Sequence, residues 1–316
     1  MRALLRRLVQ LVVVLVVVTF FTALLTDLLP GDPVTTIAPF ATDEQRDAIR
    51  VDLRLDKNVA VRYVDWLKDF ATGDFGSDYS APGLQGQEVF AKVKKSLPTS
   101  IMLMIYVQIL TMLIAIPLGV TTAYKADSRY DRWANAFAFA LVAIPAFVFG
   151  TTLKYWFAVK YQIFETRGWV PITENFGDHV RTATLPVIAL GIGQIATYSR
   201  LLRSDMVATL QEDFILMAKA KGIPNRRILW RHALRPSSLT LLTVAGLNIG
   251  ALISGALIVE TIFSIDGIGG LILQAIQTRQ YIALQSLVAV VVIIYVLVNF
   301  LVDLLYTVLD PRIRNA

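Results

Sequence analysis

The chain holds two histidines, His179 and His232, and no cysteine. Disulfides, thiol chemistry and cysteine-built metal sites are therefore excluded, and a histidine-built metal site or relay has too few members. No G-x-x-x-x-G-K-[ST] run occurs, so the loop that cradles nucleotide phosphates in P-loop enzymes is missing. The apolar stretches offer no Ser/His set and no carboxylate pair, which an intramembrane protease or transferase would need. Two other sets of residues can do work. One is a basic segment with interspersed small residues, Asp213 to Arg235. The other is a scatter of uncharged polar residues inside long apolar runs: Gln108, Gln194, Asn248, Ser254 and Asn299. Polar groups are costly in hydrocarbon and turn toward protein or water. These five are candidates for lining a path across the membrane, or for hydrogen-bonding one helix to the next.

The elements that must position both sets follow from composition. Of 316 residues, 55% are hydrophobic and only 17% charged, with mean hydropathy +0.59. A soluble core could not hide that much apolar surface, so lipid must be part of the solvent. Six apolar stretches, about 8–29, 98–124, 133–158, 184–203, 238–262 and 282–307, are each long enough to cross as a helix. A helix satisfies its own backbone in lipid, so the expected fold is an all-α integral membrane protein of six spans. The first run, behind Arg2, Arg6 and Arg7, is longer than a signal peptide core and reads as an uncleaved span. Pro117, Pro145 and Pro186 predict kinks. Gly246 and Gly250 form a small-residue pair that favours close helix packing. Lys154 can snorkel at the outer end of its span.

Charge sets the orientation. Segments 1–7, 125–132, 204–236 and 308–316 hold Arg2, Arg6, Arg7, Lys125, Arg129, Arg132, Lys219, Lys221, Arg226, Arg227, Arg231, Arg235, Arg312 and Arg314. The short loops on the other side hold only Lys160, Arg167, Arg181 and Arg279. The positive-inside rule therefore places both termini and 204–236 in the cytoplasm. The net charge of +6 is topological, and no nucleic-acid partner is implied. Segment 30–97 is then external. Thr42 with Gln45 matches a capping box. Val59, Tyr63, Trp66, Leu67 and Phe70 recur at helical spacing, so a small folded cap is expected there. Gly73, Gly76, Pro82, Gly83 and Gly86 read as loop. Trp169, Pro171 and His179 mark an external loop, 159–182, that caps the bundle or touches a partner.

Within 204–236, Asp213 to Lys221 reads as a short helix. Ala218 and Gly222, four apart, share a face on which another backbone could approach closely. Gly222 suits a helix stop, and Pro224 prevents continuation. A second helix is expected at about 225–234, with Arg227, Arg231 and Arg235 in one stripe and Pro236 obscuring its end. The basic stripe alone also fits a loop lying against lipid headgroups.

The pattern D-F-x-x-x-A-x-A-K-G-x-x-x-x-R-x-x-x-R-H-A-L-R over Asp213–Arg235 resembles the ATPase-coupling loop of bacterial ABC importer permeases. It is most similar to the oligopeptide/dipeptide permease branch, in the member with a long first external loop. LLPGDP at 28–33, VETIFSIDGIGGL at 259–271 and VDLLYTVLDPRIR at 302–314 resemble further blocks of that family, in the same order. Leu216 and Met217 depart from the Glu and Ala of the general motif, as peptide-type members often do. The resemblance implies a type I importer permease fold, one transmembrane domain over 1–316, in the cell's inner (plasma) membrane. It implies that Asp213, Phe214, Ala218, Lys221, Gly222, Arg227 and Arg231 couple to an ATPase. It further implies a second homologous permease subunit, two ATPase subunits or one fused ATPase chain, and an external substrate-binding protein. ATP and Mg would bind those ATPase partners, and this chain would carry no cofactor and no catalysis. Nickel or haem is the alternative cargo, and a passive channel the alternative of another class, which would have no use for an ATPase-docking loop.

Overall fold

The computed structural model describes residues 2–79 and 86–309, and Pro82, Gly83, Asp310 and the arginines beyond it lie outside the described residues. In chain order the elements are α1 (Arg2–Asp27), α2 (Pro33–Ile37), α3 (Asp43–Asp52), α4 (Val59–Thr72), β1 (Ser77–Asp78), β2 (Gln87–Glu88), α5 (Val89–Tyr124), α6 (Arg129–Ala143) and α7 (Ala146–Leu153). There follow α8 (Phe176–Thr209), α9 (Asp213–Ala220), α10 (Asn225–Arg227), α11 (Leu234–Phe263), α12 (Ile268–Gln277) and α13 (Tyr281–Leu309). Two π-helical stretches extend this set, Lys154–Lys160 after α7 and Ile228–Ala233 before α11.

Four helices are long and apolar enough to cross a membrane, and six spans result if two bent pairs each count as one. One bent pair is Arg129–Ala143 with Ala146–Lys160, turned by 95°. Its cause is Pro145, which drives Ile144 out of the helical region to φ −90°, ψ 119°. The helices run on through Pro117 and Pro186, so only Pro145 breaks its helix outright. At 36 residues, α5 is about 54 Å long, well beyond a hydrocarbon core.

The chain divides into two compact units. The first comprises 1–100 and 266–297. The capping box closes as expected, with Gln45 N donating to Thr42 Oγ1 at 3.4 Å and Thr42 N to Gln45 Oε1 at 3.0 Å. Asn58 caps α4, and Gly73 ends it in the left-handed region at φ 95°. The apolar face of α4 buries Tyr63 and Trp66, with Val59, Leu67 and Phe70 against the same cluster. The Trp66 indole donates to Ser286 Oγ at 2.9 Å, which donates on to Phe75 O at 2.8 Å. Tyr63 meets Thr19 Oγ1 at 3.0 Å. The stretch expected to be plain loop instead pairs β1 with β2 as a two-residue antiparallel ribbon, Ser77 opposite Glu88.

The second unit comprises 101–265 and 298–316. Its centre is α8, which packs on α6, α7 and α11. A close helix approach stands at Gly119. A Cβ on Gly119 would lie 2.9 Å from Ser199 O and 3.0 Å from Leu202 Cβ, so no side chain fits between α5 and α8 there. Lys154 does not snorkel. Its Nζ donates to Ile262 O and lies 5.7 Å from the Phe263 ring, closing the carbonyl end of α11 as a cation suits. His179 is buried, with Nδ1 2.6 Å from Val170 O and Nε2 3.1 Å from the Tyr106 hydroxyl, which makes it a packing hub of the 159–182 region.

Candidate functional site: the Asp213–Ala233 element and the mid-span polar residues

Helix α9 starts at Asp213, whose carboxylate favours the positive N-terminal end. It stops by a Schellman motif: Gly222 N donates to Lys219 O at 2.9 Å and Ile223 N to Ala218 O at 3.1 Å. That geometry requires Gly222 at φ +73°, where a Cβ would be strained although it would meet nothing within 4 Å. Pro224 then starts α10.

The expected small-residue face divides in two. Ala218 is 7% exposed and, with Ile215, packs into the unit's own core beside Ala115, Tyr198, Leu202, Met206 and Ile228. It is therefore small to fit its own bundle, while Gly222 faces outward in open space. What α9 offers outward is larger: Phe214, Leu216 and Met217 are 42%, 54% and 60% exposed, and Trp230 follows at 45%. Asp213, Lys221, Arg227 and Arg231 are exposed around them. The two positions that depart from the general motif, Leu216 and Met217, are thus the most exposed large apolar side chains of α9. Sequence reading missed Trp230, although an aromatic between Arg227 and Arg231 was visible.

The second helix also differs from expectation. It does not end near residue 234 but runs from Asn225 through the π-helical stretch into α11. Pro236 has no N–H to give, and its ring opposes the carbonyl four residues back. The wider π turns at Ile228–Ala233 fall where that conflict arises, so the chain stays helical. Asn225 Nδ2 donates to the Tyr124 hydroxyl at 3.3 Å, and Thr209 Oγ1 meets Ser237 Oγ at 2.9 Å. These contacts fix the element to the ends of α5 and α8.

An ion pair not foreseen from sequence joins α8 to α6. Arg203, on the last turns of α8, grips Asp131 on α6 through Nε and a second guanidinium nitrogen. Asp131 is 2% exposed and also accepts from Asp127 N at 3.0 Å and Asn135 Nδ2 at 2.7 Å. One turn earlier on α8, the Arg200 guanidinium lies 3.5 Å from the Phe139 ring centre.

Of the five polar span candidates, the structure brings Gln108 (α5) and Asn248 (α11) against the hydroxyl of buried Tyr198 on α8. Gln194 lies one turn away from Tyr198. Asn299 is half-buried and has a polar or electrostatic contact of its own. The side chain of Ser254 lies outside the described residues.

The chain is similar throughout to known membrane transport components. Residues 1–104 match the N-terminal family of binding-protein-dependent transport system membrane components, and residues 115–315 match the family of binding-protein-dependent transport system inner membrane components. It is 34% identical over 311 residues to a peptide ABC transporter permease protein, y4tP, of Sinorhizobium fredii, covering 98% of both chains. It is 30% identical over 312 residues to the oligopeptide transport system permease protein AppB of Bacillus subtilis, and 32% over 336 to the dipeptide transport system permease protein DppB of Escherichia coli, each again at 98% of both chains. With several apolar helices of spanning length and both halves of the sequence matched, this chain belongs to the family of binding-protein-dependent transport system inner membrane components, multi-pass proteins of the inner membrane.

Proposed function

We propose that the chain is the permease subunit of an ATP-driven importer of di- and oligopeptides. In this reading it forms the translocation path with a second homologous permease subunit. Two ATPase subunits, or one fused ATPase chain, bind ATP and Mg below it, and an external binding protein delivers cargo. This chain is non-catalytic. The observation that carries the reading is the surface at 213–231: apolar Phe214, Leu216, Met217 and Trp230 standing out among Lys221, Arg227 and Arg231 on an element fixed to the span ends. Exposed apolar side chains ringed by charge suit a protein partner better than lipid headgroups or water. A channel would need no such surface. Peptide cargo is supported by the names of the relatives.

The test is ATPase activity of the complex purified with its partner subunits. Activity is expected to rise when the binding protein is loaded with a dipeptide. No rise across a peptide panel, with a rise for nickel or haem, would overturn the peptide assignment and keep the importer.

Six spans with both termini in the cytoplasm follow from the loop arginines. The absence of native cysteine makes this directly measurable. In inside-out vesicles, Lys221→Cys is expected to react with a membrane-impermeant maleimide and Asp56→Cys to remain unlabelled. The reverse pattern would invert the topology.

A further inference from the structure

Gln108, Gln194 and Asn248 each stand near the middle of a long helix: Val89–Tyr124, Phe176–Thr209 and Leu234–Phe263. They come from three different helices, yet two of them converge on one hydroxyl, that of Tyr198, which is fully buried. The capacity of this layer is unfilled. Gln108 Oε1, Gln194 Oε1 and the Tyr198 hydroxyl are buried and form no hydrogen bond of good geometry among the described residues. The same holds for Thr111 Oγ1, one turn along α5 from Gln108 and 3.2 Å from where a Cβ on Gly191 would stand. If the layer served only to join helices, its members would be paired to one another, because unpaired polar atoms are costly at this depth. Instead, Gln108 Oε1, Gln194 Oε1, Thr111 Oγ1 and the Tyr198 hydroxyl lack a partner of good geometry among the described residues, although the Gln108 and Asn248 amides approach that hydroxyl.

We infer that this layer is a seat for the peptide backbone at the middle of the path, closed in the present conformation and filled by cargo when the helices part. The inference rests on the importer reading above. The chemistry suits the task. Side-chain amides and hydroxyls both donate and accept, so they can match the C=O and N–H groups of a peptide of any sequence. None of the five side chains is charged, so the layer would not trap either terminus of a peptide.

The assay is uptake of a radiolabelled dipeptide by the complete transporter in proteoliposomes with its binding protein, normalised to assembled complex. ATPase stimulation is read in parallel. Tyr198→Phe, which removes one oxygen and little volume, and Gln108→Leu are each expected to lower uptake about tenfold, with stimulated ATPase activity retained. That is the factor expected when one hydrogen bond to cargo is lost. Gln108→Asn, which keeps the amide, is expected to recover part of the uptake. Wild-type uptake in Tyr198→Phe and Gln108→Leu would overturn the seat and leave the importer reading intact. So would uptake and ATPase activity falling together with complex stability, Gln108→Asn faring no better, since that is the behaviour of a structural joint. A wild-type complex whose stimulated ATPase moves no peptide would overturn the importer reading itself.

Discussion

Gly222→Asp is expected to abolish ATP-driven uptake while the chain still inserts and folds. The residue sits at φ +73°, a conformation aspartate adopts more readily than most side chains, so the internal cost is about 1–2 kcal/mol. A Cβ there meets nothing of the chain itself. The Schellman turn made by Gly222 N and Ile223 N can therefore persist, and the core around Ile215 and Ala218 is untouched. The change is confined to the outward surface. A carboxylate there would fill the open space at Gly222, where a partner's backbone is proposed to lie. A buried, unpaired charge costs an interface several kcal/mol, enough for more than a hundredfold loss of docking. The measurement is co-purification of the ATPase subunit with the tagged permease, together with uptake per inserted chain. Uptake is expected below a tenth of wild type at an unchanged membrane level. Gly222→Ala separates conformation from charge: it carries the left-handed strain without the carboxylate and is expected to keep the ATPase bound. Normal uptake by the aspartate variant would remove Gly222 from any docking surface.

Features written in neighbouring residues are legible in the sequence. The capping box at Thr42 and Gln45, the inward face of α4 and the stop at Gly222 are all set within a turn or two of chain. What sequence left open depends on partners far along the chain. Small size made Ala218 look like a contact for another protein, but alanine is equally small when it fits beneath its own bundle, and only the neighbours Tyr198 and Met206 tell the two apart. The close crossing at Gly119 was equally hidden, because its need for space is set by Ser199 and Leu202 about eighty residues away. Lys154 looked like a snorkelling cation because its acceptor, Ile262 O, belongs to another helix. Pro236 looked like a boundary because the π turns before it have no sequence signature. Gln108 and Asn248 were identified by their rarity in apolar runs. Tyr198 was not, because an aromatic in a span is unremarkable until its hydroxyl is seen to be buried between two amides.

The ion pair of Asp131 and Arg203 joins residues that sequence could not pair, and breaking it from one side gives a second large effect. Asp131 is 2% exposed, so Arg203→Met leaves a carboxylate with one cationic partner fewer and only Asp127 N and Asn135 Nδ2 to hold it. Breaking a buried pair from one side costs about 3–5 kcal/mol, because the surviving charge stays desolvated. Asp131→Ala leaves Arg203 instead, whose side chain is 24% exposed and can reach water, so the cost is expected at the lower end of that range. Asp131→Ala also takes the carboxylate acceptor from Asp127 N, about 1 kcal/mol, while Asn135 Nδ2 keeps the backbone carbonyl of residue 131. Arg203→Lys keeps the charge but loses the two-pronged geometry, and should fall between wild type and Arg203→Met. The double variant Asp131→Ala/Arg203→Met removes both charges, and its loss should be smaller than the sum of the two single losses. Equilibrium unfolding of the purified chain in detergent measures all four. A coupling energy of about 2 kcal/mol or more across the cycle is expected. A value below about 0.5 kcal/mol would mean that the pair behaves as an exposed, solvated one, and that α6 and α8 are held by Arg200 on Phe139 and by apolar packing alone.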